Sequence, residues 1–148
     1  LASHLQEAME MNQYLQKAES IPNCNRMENG KEYIVFSGGT KESFELIASD
    51  LLYVEAEGNY VKIVYRKNEK CTQKMLGATM KQVEEVSRPF SYIVKSHRAF
   101  LVNLCAVSKV NGNSQGYRLF LYDCEDSIPV SRAYSKEVKM LIEKMNNR

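Results

Sequence analysis

At 148 residues the chain fits one domain plus an appendage, and a core of that size needs no disulfide or metal staple. Its 44% hydrophobic and 26% charged content is that of an ordinary globule, no apolar run approaches the ~20 residues that span a bilayer, and no signal-peptide pattern is present. The net charge of +2 hides an asymmetry: residues 1–58 carry four Lys/Arg against ten Asp/Glu, and residues 59–148 carry sixteen against eight, the kind of imbalance a polyanion-binding face produces.

Residues 1–20 read as a helix with a weak heptad, Leu1, Ala8 and Leu15 recurring every seven positions with Met11 and Ala18 between them. A helix stop and linker follow over 21–30, where Pro22, Asn23, Asn25 and Asn29 cluster, so the globular domain is expected over 31–148. The chain opens on Leu1 rather than Met, which reads as a fragment lacking its upstream part.

From Lys31 the period changes to two. Tyr33–Phe36 and Ser43–Ala48 flank Gly38-Gly39 as a hairpin, and Leu51–Glu57 and Tyr60–Arg66 flank the turn Gly58-Asn59. Lys70–Leu76 is a further strand. Thr79 and Gln82 form a capping box for a short helix that turns Met80, Val83 and Val86 inward and stops at Arg88-Pro89. Strands are expected at Tyr92–Val94, Cys105–Val110, Tyr117–Tyr122 and Ser127–Val130, with Asn111-Gly112-Asn113 as a turn. A last helix opens near Ser131, its inner stripe Tyr134, Val138, Leu141, Ile142 and Met145, its solvated face Lys136, Glu137, Lys139, Glu143 and Lys144. The sum is a mainly β domain, a sandwich or open barrel with two short helices behind an N-terminal helix.

Enzyme signatures are missing: there is no G-x-S-x-G, no G-x-x-x-x-G-K-[ST] and no H-E-x-x-H. Ser96 and His97 are neighbours whose side chains leave opposite faces of a strand, so they do not form a nucleophile–base pair, and no catalytic residue is assigned. Cys24, Cys71, Cys105 and Cys124 lack C-x-x-C spacing and the histidines, His4 and His97, are far apart, so no metal site and no cofactor are expected. The cysteines read as buried, reduced thiols of a cytoplasmic protein.

Three segments can carry recognition chemistry. Lys95-Ser96-His97-Arg98 precedes the apolar anchor Phe100-Leu101-Val102, so its basic groups meet phosphates from a fixed base, or else form a plain strand end with His97 bonded to a backbone carbonyl. Asn59-Tyr60 pairs a side chain able to read adenine with one able to reach phosphate, or is a turn asparagine in left-handed geometry beside a core tyrosine. Arg132 follows the expected N-cap Ser131, where a cation is unfavourable for the helix but well placed to read guanine.

Together these blocks resemble the LytTR family of bacterial transcription regulators. The resemblance runs from about Tyr33 to Met145 and rests on Asp50 through Val61, on His97 through Leu104 and on Pro129-Val130-Ser131-Arg132, in that order. It implies an elongated fold of antiparallel sheets whose loops enter successive major grooves of double-stranded promoter DNA. Asn59, Tyr60 and Arg132 are then expected to touch bases. Lys95, His97 and Arg98 are expected on the DNA backbone, and Lys62 and Ser131 complete that set. Lys95 stands where the family often has arginine, and Ala99 where it often has serine. The implied partners are a second copy on paired direct repeats and an upstream receiver, or a sensory or membrane segment that would hold the domain at the inner face of the membrane. Two other classes stay open: a single-strand-binding barrel stacking bases on Tyr60, Tyr65 and Tyr117, and a protein-interaction domain.

Overall fold

The computed structural model describes residues 32–38, 42–113, 116–122 and 124–146. The expected helix 1–20 and linker 21–30 lie outside the described residues. Among those described, no helix is long and apolar enough to cross a membrane.

Ten strands and two helices are described. β1 (Tyr33–Ser37) and β2 (Ser43–Ile47) pair antiparallel with Phe36 opposite Phe44, as the hairpin pattern predicts. Strict alternation sends Ile34 and Phe36 inward and leaves Tyr33 and Val35 exposed. The central sheet has the order β5-β4-β3-β7-β6, formed by β3 (Leu51–Glu57), β4 (Tyr60–Lys67), β5 (Lys70–Leu76), β6 (Ile93–His97) and β7 (Phe100–Asn103), all neighbours antiparallel. A third sheet, β10-β9-β8, comprises β8 (Val107–Asn113), β9 (Gly116–Leu121) and β10 (Ser127–Val130).

The central sheet lies between two cores. One face buries Val54, Val61, Ile63 and Leu101 with Ile34 and Phe36 of the first sheet and with Val83 of α1 (Met80–Ser87). The other buries Tyr53, Val64 and Val102 with Val110, Leu119 and Ile128 of the third sheet and with Val138 and Ile142 of α2 (Arg132–Asn146). Each such aliphatic side chain stabilises the fold by roughly 1.5–3 kcal/mol relative to exposure. The result is a mainly β, three-sheet fold rather than a closed barrel. The capping box is complete: the Gln82 N–H donates to Thr79 Oγ1 at 3.2 Å and the Thr79 N–H donates to Gln82 Oε1 at 2.9 Å.

The structure corrects four expectations. Phe100–Asn103 is a strand, β7, hydrogen-bonded on both sides and therefore apolar on both faces. The expected strand at Tyr92 begins one residue later and runs to His97. Asn111-Gly112-Asn113 is not a turn but the end of β8, still in register with β9. Gly112 is required there by crowding: a Cβ would stand 2.4 Å from the Gly116 carbonyl oxygen, and its φ is +108°. Nor are the three cysteines among the described residues buried reduced thiols. Cys71 is exposed, Cys124 half-buried, and Cys105 is disulfide-bonded. Cys71 sits on an edge strand, while Cys105 and Cys124 lie in connections and pack partly buried against the cores.

Candidate nucleic-acid interface

The β3–β4 turn is the first of three tips at one end of the central sheet. Glu57 pairs with Tyr60, leaving Gly58-Asn59 as a two-residue turn. The left-handed conformation falls on Gly58, at φ +62°, and not on Asn59, so Asn59 is not needed there for its tolerance of that region. Asn59 is exposed and Tyr60 is 54% exposed, not a core tyrosine, despite lying on a strand that otherwise alternates inward at Val61 and Ile63.

The β6–β7 turn is the second. His97 pairs with Phe100, so Arg98-Ala99 forms the tip. The Ala99 N–H donates to His97 Nδ1 at 3.1 Å, and the ring packs edge-on against Phe100 with centroids 5.6 Å apart. With Nδ1 occupied as an acceptor, the neutral imidazole carries its hydrogen on Nε2, a donor held in a fixed direction. The alternative of a carbonyl partner for His97 is therefore replaced by a backbone N–H. Arg98 is exposed. The Ala56 N–H donates to the Ala99 oxygen at 2.8 Å, which fastens this tip to β3 two residues before Gly58.

The third tip is the start of α2. The Ser131 N–H donates to the Ser96 oxygen at 2.9 Å, and Ser96 Oγ donates to the Pro129 oxygen at 3.0 Å. Ser96 is fully buried, facing away from His97, so it is a joint between sheets and not a nucleophile. This joint sets Arg132, exposed in the first turn, beside the strand end that carries His97 and Arg98. Asn59, Tyr60, Arg98 and Arg132 thus emerge into solvent from neighbouring tips.

Two lysines are held differently. Lys95 Nζ lies 3.2 Å from Glu84 Oε2 of α1 and 6.0 Å from the Tyr134 ring centroid of α2. Lys62 Nζ lies 3.2 Å from Glu55 Oε1, its cross-strand partner, and 5.8 Å from the Tyr53 ring centroid. Each ammonium already has a carboxylate partner. The Glu55–Lys62 pair was readable from the two-residue turn, which fixes the register. The Glu84–Lys95 pair joins separate elements and had no local signal. Sequence reasoning also missed the role of Ser96 as a joint between sheets and that of the buried Asn103. Asn103 Nδ2 donates to the Leu51 oxygen at 2.8 Å, and its Oδ1 accepts from the Cys105 N–H at 2.9 Å.

The three tyrosines do not make a stacking platform. Tyr60 is exposed, but Tyr65 packs against Phe44 with centroids 5.2 Å apart and Tyr117 is 3% exposed inside the second core. Adjacent loops on a fixed antiparallel scaffold thus bring amide, imidazole and guanidinium groups to one end of the central sheet.

The chain belongs to the LytTR family: the LytTr DNA-binding domain model matches residues 41–143. Among solved structures, it is similar to the LytTr DNA-binding domain of a protein from Bacillus cereus assigned as a methyl-accepting/DNA response regulator. The TM-score is 0.59 at 18% identity, over 76% of this chain and 98% of that one, a likeness of fold. No curated protein matches. The chain is thus a DNA-binding domain of the LytTR type.

Proposed function

We propose that this domain is the sequence-specific output module of a bacterial transcription regulator, a binder and not an enzyme, which reads successive major grooves of paired direct repeats with one copy per repeat. Asn59, Tyr60 and Arg132 make the base contacts. Arg98, His97 through Nε2–H, and Ser131 hold the DNA backbone, and Lys95 and Lys62 join them by exchanging carboxylate for phosphate. Residues 31–148 are the DNA-binding unit, and 1–20 with the connecting 21–30 link it to an upstream receiver or sensor, cytoplasmic or tethered at the inner face of the membrane. The observation that carries this reading is the joining of the three tips by the Ala56–Ala99 and Ser131–Ser96 backbone hydrogen bonds.

The test is selection of duplexes from a random pool, followed by fluorescence anisotropy on the selected and a scrambled duplex over a range of salt. Arg132→Ala is expected to lose roughly 1–3 kcal/mol on the selected duplex and little on the scrambled one. Arg98→Ala is expected to weaken both alike and to reduce the log–log salt slope by about 0.9. If the two variants lose affinity in the same proportion on both duplexes, the assignment of roles fails.

A further inference from the structure

Cys71 and Cys124 meet across two sheets. Cys71 lies on β5, the edge strand of the central sheet, paired with Arg66 of β4. Cys124 lies in the connection from β9 to β10. They are 53 positions apart in sequence, yet their Sγ atoms stand 3.6 Å apart, and both are free thiols. That separation is sulfur–sulfur van der Waals contact, so the side chains already point at each other. Closing to a bond of about 2.05 Å asks for a movement of roughly 1.5 Å. An exposed edge strand and an irregular connection are the parts of this fold best able to yield that much.

We propose that Cys71 and Cys124 form an oxidative modification site, closing to an intramolecular disulfide when the protein meets hydrogen peroxide and reopening with a small thiol. One sulfur, as thiolate, attacks a peroxide oxygen; the O–O bond breaks, leaving a sulfenic acid and a hydroxide that takes up a proton as water. The second thiol gives up its proton and attacks the sulfenic sulfur, the S–S bond forms, and the hydroxyl leaves as a second water. Two thiols and one peroxide give one disulfide and two waters, with two electrons passing from sulfur to oxygen. Reduction by two equivalents of a small thiol reverses the change.

The surroundings set the rate. Burial, then the hydrogen bond to Cys124 and the negative charge of Asp126, push the Cys71 thiol up to about 11, with Lys62 opposing them. Tyr53, whose hydroxyl lies 3.5 Å from Asp126 Oδ2, also faces the pair. The thiolate is the reactive form, so closure is slow near neutral pH and quickens as pH rises. The cross-link would tie the β5 edge to the connection that leads through β10 to Ser131 and Arg132.

The test uses the full chain at low micromolar concentration, treated with excess hydrogen peroxide, alkylated under denaturing conditions and mapped by peptide mass spectrometry. The expected product is a linked Cys71–Cys124 peptide two mass units lighter than the reduced pair. Its yield should not depend on protein concentration, and dithiothreitol should remove it. Peptide mapping keeps this link distinct from the bond at Cys105. The oxidised chain should melt on the order of 10 °C higher, since a link of this span removes loop-closure entropy from the unfolded chain. Cys71→Ser and Cys124→Ser should fold and show no such gain. Alkylation at both cysteines after treatment, sulfinic acid on either one, or a link found only between chains would overturn the proposal.

Discussion

Replacing Asn103 with alanine tests how the central sheet is joined to the chain that leaves it. Asn103 is 1% exposed, and its amide serves two backbone groups at once, the Leu51 carbonyl at 2.8 Å and the Cys105 N–H at 2.9 Å. It caps the 3-10 turn Leu104–Ala106, which redirects β7 into β8. Alanine leaves both backbone groups without that partner. Each orphaned buried group costs about 1–3 kcal/mol, partly relieved where water can enter, so the expected loss is about 3 kcal/mol. For a domain near 115 residues that lowers Tm by roughly 10–15 °C. Urea denaturation followed by far-UV circular dichroism measures it directly, and the slope against urea should stay unchanged while the midpoint falls. A loss below about 1 kcal/mol would refute the reasoning, because it would mean neither bond is made in a water-free setting.

Three further outcomes are expected. Glu84→Gln frees Lys95 from its 3.2 Å partner, so duplex affinity should rise about two- to threefold at low salt with a stability change under ~1 kcal/mol; unchanged affinity in anisotropy titrations would remove Lys95 from the interface. Burial, with Glu32 adding to it, pushes Tyr92 up to about 12, and burial likewise raises Tyr53 beside Cys124 and Asp126. The fold therefore favours the neutral phenols: stability is retained below pH 10, where unfolded tyrosine begins to ionise, and falls between pH 10 and about 12. Absorbance at 295 nm should show part of the tyrosine ionising only as circular dichroism is lost, whereas ionisation of every tyrosine near pH 10 in the folded protein would contradict it. Asn68 and Glu69 form the β4–β5 turn with φ of 53° and 63°, so Glu69→Gly should stabilise by roughly 0.5–1 kcal/mol, and a lower Tm would count against a left-handed turn there.

Two hairpins were legible in the sequence because each pairs alternation with a turn dipeptide, Gly38-Gly39 in the first and Gly58-Asn59 between Leu51–Glu57 and Tyr60–Arg66 in the second. β7 was not, because an interior strand between two cores has no polar face, and Phe100-Leu101-Val102 reads as a plain apolar anchor. Gly112 misled for a related reason: glycine signals a turn, but it also appears where two backbones approach closely, and only coordinates separate the two. Of the site, the exposure of Asn59, Arg98 and Arg132 was anticipated by polarity. Their convergence was not legible, since it depends on the Ala56–Ala99 and Ser131–Ser96 hydrogen bonds between segments far apart in sequence. The ion pairs at Lys95 and Lys62 divide in the same way, one made by folding across elements and one fixed by a hairpin register.

The Ala56–Ala99 bond turns two hairpin ends into a single ruler. They meet through the interior strands β3 and β7, so neither can swing without breaking the ladder those two strands share. The distance between what one end touches and what the other touches is set when the chain folds. A binding target must arrive with matching spacing, and adding or deleting one step between its two contact points should cost one whole contact rather than a gradual loss.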